Sequence, residues 1–198
     1  MPTSRSEAHQ RICLFGGTFD PIHCAHLEIA AEAVRRFALD RVLFVPAGVP
    51  PHKTANGLTP YEHRLRMVAL ACAGNAKFEP SRLEQNTEQS YTIDTVRRFR
   101  KSMATGDELF FLIGADAFDE IETWKSWREL IALVAFIVVT RPGGSYNVPP
   151  GATVLPLTGI EIPVSSSAIR ARIAVGEPTP EVPEPVRNYI HAHGLYRK

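Results

Sequence analysis

The sequence predicts an α/β fold, a parallel central sheet with helices on both faces. Apolar runs of strand length at 12–15, 41–45, 109–113 and 135–140 alternate with stretches whose apolar residues recur at helical spacing, the alternation that covers a parallel sheet on both sides. The interval 11–45 has the length of one strand-helix-strand unit, which closes with a right-handed crossover. Two of the runs end on glycine, at Gly16-Gly17 and at Gly114, where open α/β sheets take their ligands. With 198 residues, 44% of them hydrophobic, the chain can build one such domain with a sizeable core, residues 1–198, of which 164–198 form a C-terminal helical part.

The first strand runs into Gly16-Gly17-Thr18-Phe19-Asp20-Pro21-Ile22-His23-Cys24-Ala25-His26, and a helix is expected over 27–39, where Leu27, Ile29, Ala30, Val34, Phe37 and Ala38 recur. Two glycines let the backbone approach a ligand, and Pro21 stiffens the exit. Unpaired N–H groups and the positive end of the helix dipole make such a turn an anion site. His23 and His26, three apart, share one face of a first helical turn and can both donate to a phosphate. Alone, a histidine here caps the helix or fills a polar gap; the pair arrives with the glycine turn and Asp20. His23, Cys24 and His26 are also possible metal ligands, but structural zinc takes four ligands at recognisable spacing and no second cluster follows, so no metal site is expected.

The remaining elements follow in order. After strand 41–45 comes the proline-rich loop 46–53, which offers His52 and Lys53 to a phosphate; a solvated loop lysine is the bland alternative. Pro60 opens a helix with an apolar stripe of Leu65, Val68, Ala69 and Cys72, Tyr61 and Met67 at its edges, and a stop at Gly74. Phe78 marks a short third strand, and 82–89 is too polar for the core. Ser90, Tyr91 and Thr92 place hydroxyls to cap a helix carrying Ile93, Val96 and Phe99, whose end gathers Arg97, Arg98, Arg100 and Lys101 on a solvated face. Run 109–113 ends at Gly114-Ala115-Asp116, where Asp116 can accept from ribose hydroxyls or cap a helix. Of Phe118, Trp124 and Trp127, at least one tryptophan belongs to the core while the other can stack on a flat ring. Strand 135–140 delivers Arg141, a planar fork for carboxylate or phosphate, to the same sheet edge. A surface excursion at 145–150 precedes a last strand at 153–157. Ser165, Ser166 and Ser167 then open a helix bearing Arg170 and ending near Gly176, a second anion cradle. A closing helix from Pro183 to a glycine stop at Gly194 is expected on the sheet edge.

Composition excludes several classes. Lys plus Arg number 22 against 21 Asp plus Glu, so no global basic field draws nucleic acid. Three widely spaced cysteines, Cys13, Cys24 and Cys72, suit a reducing cytoplasm better than a disulfide framework. No long apolar run or signal-like segment is present, so no membrane partner is expected, and polar residues 1–10 are expected to fray. The oligomeric state stays open.

The segment GGTFDPIHCAHL resembles the GxFDPxHxGH signature of the nucleotidyltransferase superfamily, with Ala25 in place of the glycine between the histidines. Taken with VPPHK, SYT, FLIGAD followed by Trp124, VVTRPG, VSSSAIR and the PEPVRNYIHAHGLY ending, nearly the whole chain resembles the bacterial nicotinate mononucleotide adenylyltransferase family. That resemblance implies a Rossmann-like nucleotidyltransferase fold and transfer of AMP from ATP to nicotinate mononucleotide, giving deamido-NAD and pyrophosphate. It implies ATP contacts from Gly16, Gly17, Thr18, Phe19, His23, His26, Gly114, Asp116, Ser166, Ser167 and Arg170. Thr18, His52, Lys53, Thr92, Trp124 and Arg141 would serve the mononucleotide, His23, His26, Lys53 and Arg170 would be catalytic, and Mg²⁺ would arrive on ATP. The alternatives are a sister enzyme taking the amide mononucleotide or another phosphate, such as phosphopantetheine, and a nucleotide-binding regulatory module without turnover. A dehydrogenase would need a G-x-G-x-x-G after its first strand, which is missing.

Overall fold

The computed structural model describes residues 9–49, 57–87, 89–141, 143–160 and 163–197. Its centre is one six-stranded, all-parallel sheet of β1 (Arg11–Gly17), β2 (Arg41–Pro46), β3 (Phe78–Pro80), β4 (Glu108–Gly114), β5 (Ala135–Val139) and β6 (Val154–Leu157). The spatial order is β3-β2-β1-β4-β5-β6. Strand order reverses between β1 and β4, the place at whose carboxyl edge open α/β sheets take their ligands.

Alternate strand residues face opposite ways and organise two cores. Cys13 and Phe15 pack with α1 (Cys24–Phe37), α2 (Tyr61–Cys72), α6 (Ser166–Ala174) and α7 (Glu184–Ala192). Ile12 and Leu14 pack with α3 (Thr92–Arg100), α4 (Ala115–Asp119) and α5 (Trp127–Leu133) on the other side. Both faces are covered, which is why the strands read as continuous apolar runs rather than as alternations.

Several expectations need correcting. Helix α1 starts at Cys24 rather than at residue 27, because His23 is extended and serves as the N-cap. Gly16 and Gly17 are the last residues of β1, paired with Val45 and Pro46 of β2. No side-chain hydroxyl caps α3, whose N-cap is Tyr91. Met67 lies in the core rather than at the edge of α2, and Glu84 is buried within the segment expected to be solvated. A 3₁₀ turn (Ile121–Thr123) and α5 fill the stretch around the tryptophans. Helix α7 sends Val186 and Ile190 into the first core, and Tyr189 meets His63 of α2 with 2.8 Å between hydroxyl and Nδ1. It therefore packs on a helix rather than on a sheet edge. Of segment 1–10, residues 1–8 lie outside the described residues, while Gln10 donates its N–H to Asp107 Oδ1 at 2.9 Å.

Candidate active site

The carboxyl ends of β1 and β4 meet at this switch point. A Cβ on Gly17 would stand 2.9 Å from the Phe19 ring, and one on Gly16 would stand 3.3 Å from Phe111, so both positions need glycine for close packing. Phe19 adopts φ 48° and turns its ring inward against Phe15 and His26, with centroids 5.6 Å and 5.1 Å away. Among the expected ATP contacts, Phe19 therefore has only its backbone to offer.

His23 and His26 come together as their spacing predicts, with ring centroids 3.7 Å apart. They also form part of the cap: the His23 N–H donates to His26 Nδ1 at 3.2 Å. In a neutral His26 that bond leaves the proton on Nε2, which becomes a donor. His23 Nδ1 is buried and has no hydrogen-bond partner among the described residues. Burial pushes the His23 pKa down to about 4; burial, and then the neighbouring His23, push His26 down to about 3. Both rings are thus neutral hydrogen-bonding groups at pH 7 until an anion arrives.

Helix α6 brings the second cradle to the same loop. Ser165 caps it, its Oγ accepting from the Ala168 N–H at 3.2 Å. The Ser166 hydroxyl donates to the Pro21 carbonyl at 3.0 Å, and Arg170 donates to the Asp20 carbonyl at 2.7 Å. The Cys24 N–H at the start of α1 donates to the Glu181 carbonyl at 2.7 Å. Ser167 shares a 3.2 Å contact with Ser165. Two helix openings, far apart in sequence, are joined at one turn.

The loops after the other strands complete the edge. Gly114 is the N-cap of α4, none of the described residues beyond its chain neighbours comes within 4 Å of the place its Cβ would take, and Asp116 is exposed beside it. Thr92 opens α3, half-buried; Trp124 follows α4, half-buried; Arg141 follows β5, exposed. All three stand on loops or helix starts beyond the carboxyl ends of strands. Both tryptophans are half-buried against the second core, and Trp127 also carries the Arg128 guanidinium 4.4 Å above its ring. His52 and Lys53 lie outside the described residues.

Three residues around this site, Arg64, Glu84 and Tyr196, are given no role by the sequence reading. The Tyr196 hydroxyl donates at 2.5 Å to Asp20, which is 2% exposed and also accepts from the Thr59 N–H at 3.2 Å. Arg64, 1% exposed, and Glu84 bind neighbouring backbone. A signal existed for Arg64: a charge inside the apolar stripe of α2. Tyr196 and Glu84 give no such sign, because each finds its partner only through the fold. Among the described residues no group of three or more His, Cys, Asp or Glu side chains is arranged to hold a metal ion. Both oxygens of Asp20 are already engaged.

A doubly wound parallel sheet with two helix openings joined at its switch point has the architecture of the nucleotide-binding α/β proteins. The cytidylyltransferase-like family model matches residues 14–172. The chain is 51% identical over 186 residues to a Solibacter usitatus protein named "Probable nicotinate-nucleotide adenylyltransferase", an alignment covering 94% of this chain and 99% of that protein. A Thermus thermophilus protein of the same name is 44% identical, with 94% and 100% covered. Among solved structures, a Plasmodium falciparum nicotinic acid mononucleotide adenylyltransferase complexed with NaAD superposes with a TM-score of 0.78 at 21% identity, over 95% of this chain and 98% of that one. The chain belongs to the cytidylyltransferase-like family and, within it, to the nicotinate-nucleotide adenylyltransferases.

Proposed function

We propose that this chain transfers AMP from ATP to nicotinate mononucleotide, releasing pyrophosphate and forming deamido-NAD, as the names of its relatives indicate. The single observation that carries the reading is the junction of the α1 and α6 openings at the glycine turn, tied by Ser166 to Pro21 and by Arg170 to Asp20. Adenylyl transfer needs no protein nucleophile, because the mononucleotide's own phosphate attacks the α-phosphorus while pyrophosphate leaves. The protein's task is to hold two anions in line and to stabilise the charge that develops.

In this reading Gly16, Gly17, Thr18 and the Phe19 backbone let the triphosphate lie close. His23 and His26 donate to its phosphates, and Ser166, Ser167 and Arg170 hold the β- and γ-phosphates. The open space at Gly114 and the exposed carboxylate of Asp116 suit the adenosine ribose. Thr92, Trp124 and Arg141 take the pyridine mononucleotide, with Thr18, His52 and Lys53 at its phosphate. Mg²⁺ would arrive on ATP, since among the described residues no group of three or more His, Cys, Asp or Glu side chains is arranged to hold it. Three free thiols suit a reducing cytoplasm, and no helix among the described residues is long and apolar enough to cross a membrane.

Pyrophosphate release with ATP plus either mononucleotide tests the assignment. A higher kcat/KM for the acid than for the amide is expected; the reverse preference would make the chain an amide-selective sister enzyme, and no release with either would make it a binding module. His26→Ala should lower kcat by about 10² or more, the scale for losing one preorganised donor. A folded variant with wild-type turnover would remove His26 from the mechanism.

A further inference from the structure

Helix α2 looks like plain packing from its sequence, yet it carries a cation with all three guanidinium nitrogens bonded beside the site. Arg64 is 1% exposed, and each of its guanidinium nitrogens meets a different backbone carbonyl. Nε donates to the Thr59 carbonyl at 2.9 Å, one Nη to the Thr18 carbonyl at 2.9 Å, and the other Nη to the Gly48 carbonyl at 3.1 Å. Thr18 belongs to the glycine turn; Gly48 belongs to the loop after the neighbouring strand β2. Asp20 closes the ring from the other side by accepting from Thr59 N–H.

The Gly48 peptide is gripped at both ends. Its N–H donates to Glu84 Oε2 at 3.2 Å, while Glu84 Oε1 accepts from the Thr95 hydroxyl of α3 at 2.7 Å. The next carbonyl, Val49, accepts from the Ser90 N–H at 3.0 Å, two residues before Thr92. A Cβ on Gly48 would fall 2.4 Å from Thr87 Oγ1 and 2.7 Å from the Glu84 carbonyl, so a side chain here would push the peptide out of place. Hydrogen bonds thus run unbroken from the start of α3 through Glu84 and Gly48 to Arg64, and from there into the nucleotide turn.

We propose that Arg64 is a positioning residue for the transfer step: its guanidinium fixes the separation of the turn at Thr18 from the loop at Gly48, and with it the alignment of the two substrates. The inference rests on the function proposed above, which puts ATP on the Thr18 side and the mononucleotide on the Thr92 side. Arg64 is buried behind the loops and touches neither substrate. Its planar fork spans three carbonyls at once, which a lysine ammonium on a flexible stem does not reproduce. A misalignment of about 1 Å is enough to cost roughly 10²-fold in rate while leaving each anion its own donors.

The experiment compares the wild-type chain with Arg64→Lys and Gly48→Ala. It uses thermal melting to establish folding, calorimetric titration with ATP, and steady-state pyrophosphate release with ATP and nicotinate mononucleotide. The expected result is a kcat reduced about 10²-fold in both variants, with ATP affinity and both KM values close to wild type. Unchanged kcat in the folded variants would overturn the positioning role, as would a loss confined to KM. Should Arg64→Lys fail to fold, Gly48→Ala decides alone, since it displaces the same peptide with Arg64 intact. A wild-type chain inactive with both mononucleotides would instead overturn the functional reading, and this inference with it.

Discussion

His23 and His26 illustrate how one pair of side chains can serve helix and ligand together. Their bond at the start of α1 is a cap, and their shared burial keeps both rings neutral, with pKa values of about 4 and about 3. In an unfolded chain each returns to about 6.5. Between that value and about 4, the unfolded state therefore binds more protons than the folded one. Stability is at its full value above this window and falls as pH falls through it. Urea midpoints measured at about pH 7.5 and about pH 5 should show that loss, and His26→Gln should shrink the difference. A variant with the wild-type pH dependence would show that the burial of His26 has no such consequence. Anionic phosphates favour the imidazolium, so ATP should oppose the same acid sensitivity.

Among the elements, α6 shows the division between local and distant causes most clearly. Its start is set locally: Ser165 is extended and caps the Ala168 N–H, while Ile169 is fully buried and holds the helix on the first core. Ser165→Ala should cost about 1 kcal/mol of unfolding free energy, the usual worth of such a cap, measured by chemical denaturation. A neutral substitution would mean that the hydrogen bonds of Ser166 and Arg170 to the glycine turn already fix the helix end. Those two bonds are the distant cause. They place the opening of α6 against a loop 145 to 150 residues earlier in the chain. The arginines of α3 behave differently, remaining exposed while tying down neighbours: Arg97 to Glu129, Arg98 to the Leu83 carbonyl and Arg100 to the Leu133 carbonyl.

Across the whole molecule, the C-terminal segment closes the structure around its N-terminal turn. Leu195 and Tyr196 pack on the first core, and the Tyr196 hydroxyl reaches Asp20. Burial and the Asp20 carboxylate push the Tyr196 pKa up, so the hydroxyl keeps its proton and acts as donor. Tyr196→Phe leaves a buried carboxylate oxygen short of a partner and should cost about 1–3 kcal/mol. For a chain of this size that lowers Tm by roughly 2–4 °C per kcal/mol, readable by calorimetry. An unshifted Tm would show that the Thr59 N–H satisfies Asp20 without help from the C-terminus.

The sequence by itself determined the parallel sheet, its glycine-ended strands and the helix openings near Cys24 and at Ser166. These follow from local physics: apolar run length, helical spacing, and the residue types that backbone turns and helix starts demand. Gly16-Gly17, the histidine pair and Ser165–Ser167 with Arg170 were legible because each motif is contiguous. The tertiary structure alone decided that Arg64, Glu84 and Tyr196 support the site, and that Phe19 turns its ring away from it. Those outcomes depend on partners distant in the chain, 16 residues between Arg64 and Gly48 and 176 between Tyr196 and Asp20, or on burial that makes an unpaired charge intolerable. Burial also set the histidines' protonation, since the cost of desolvating an imidazolium exists only once the chain has closed around it.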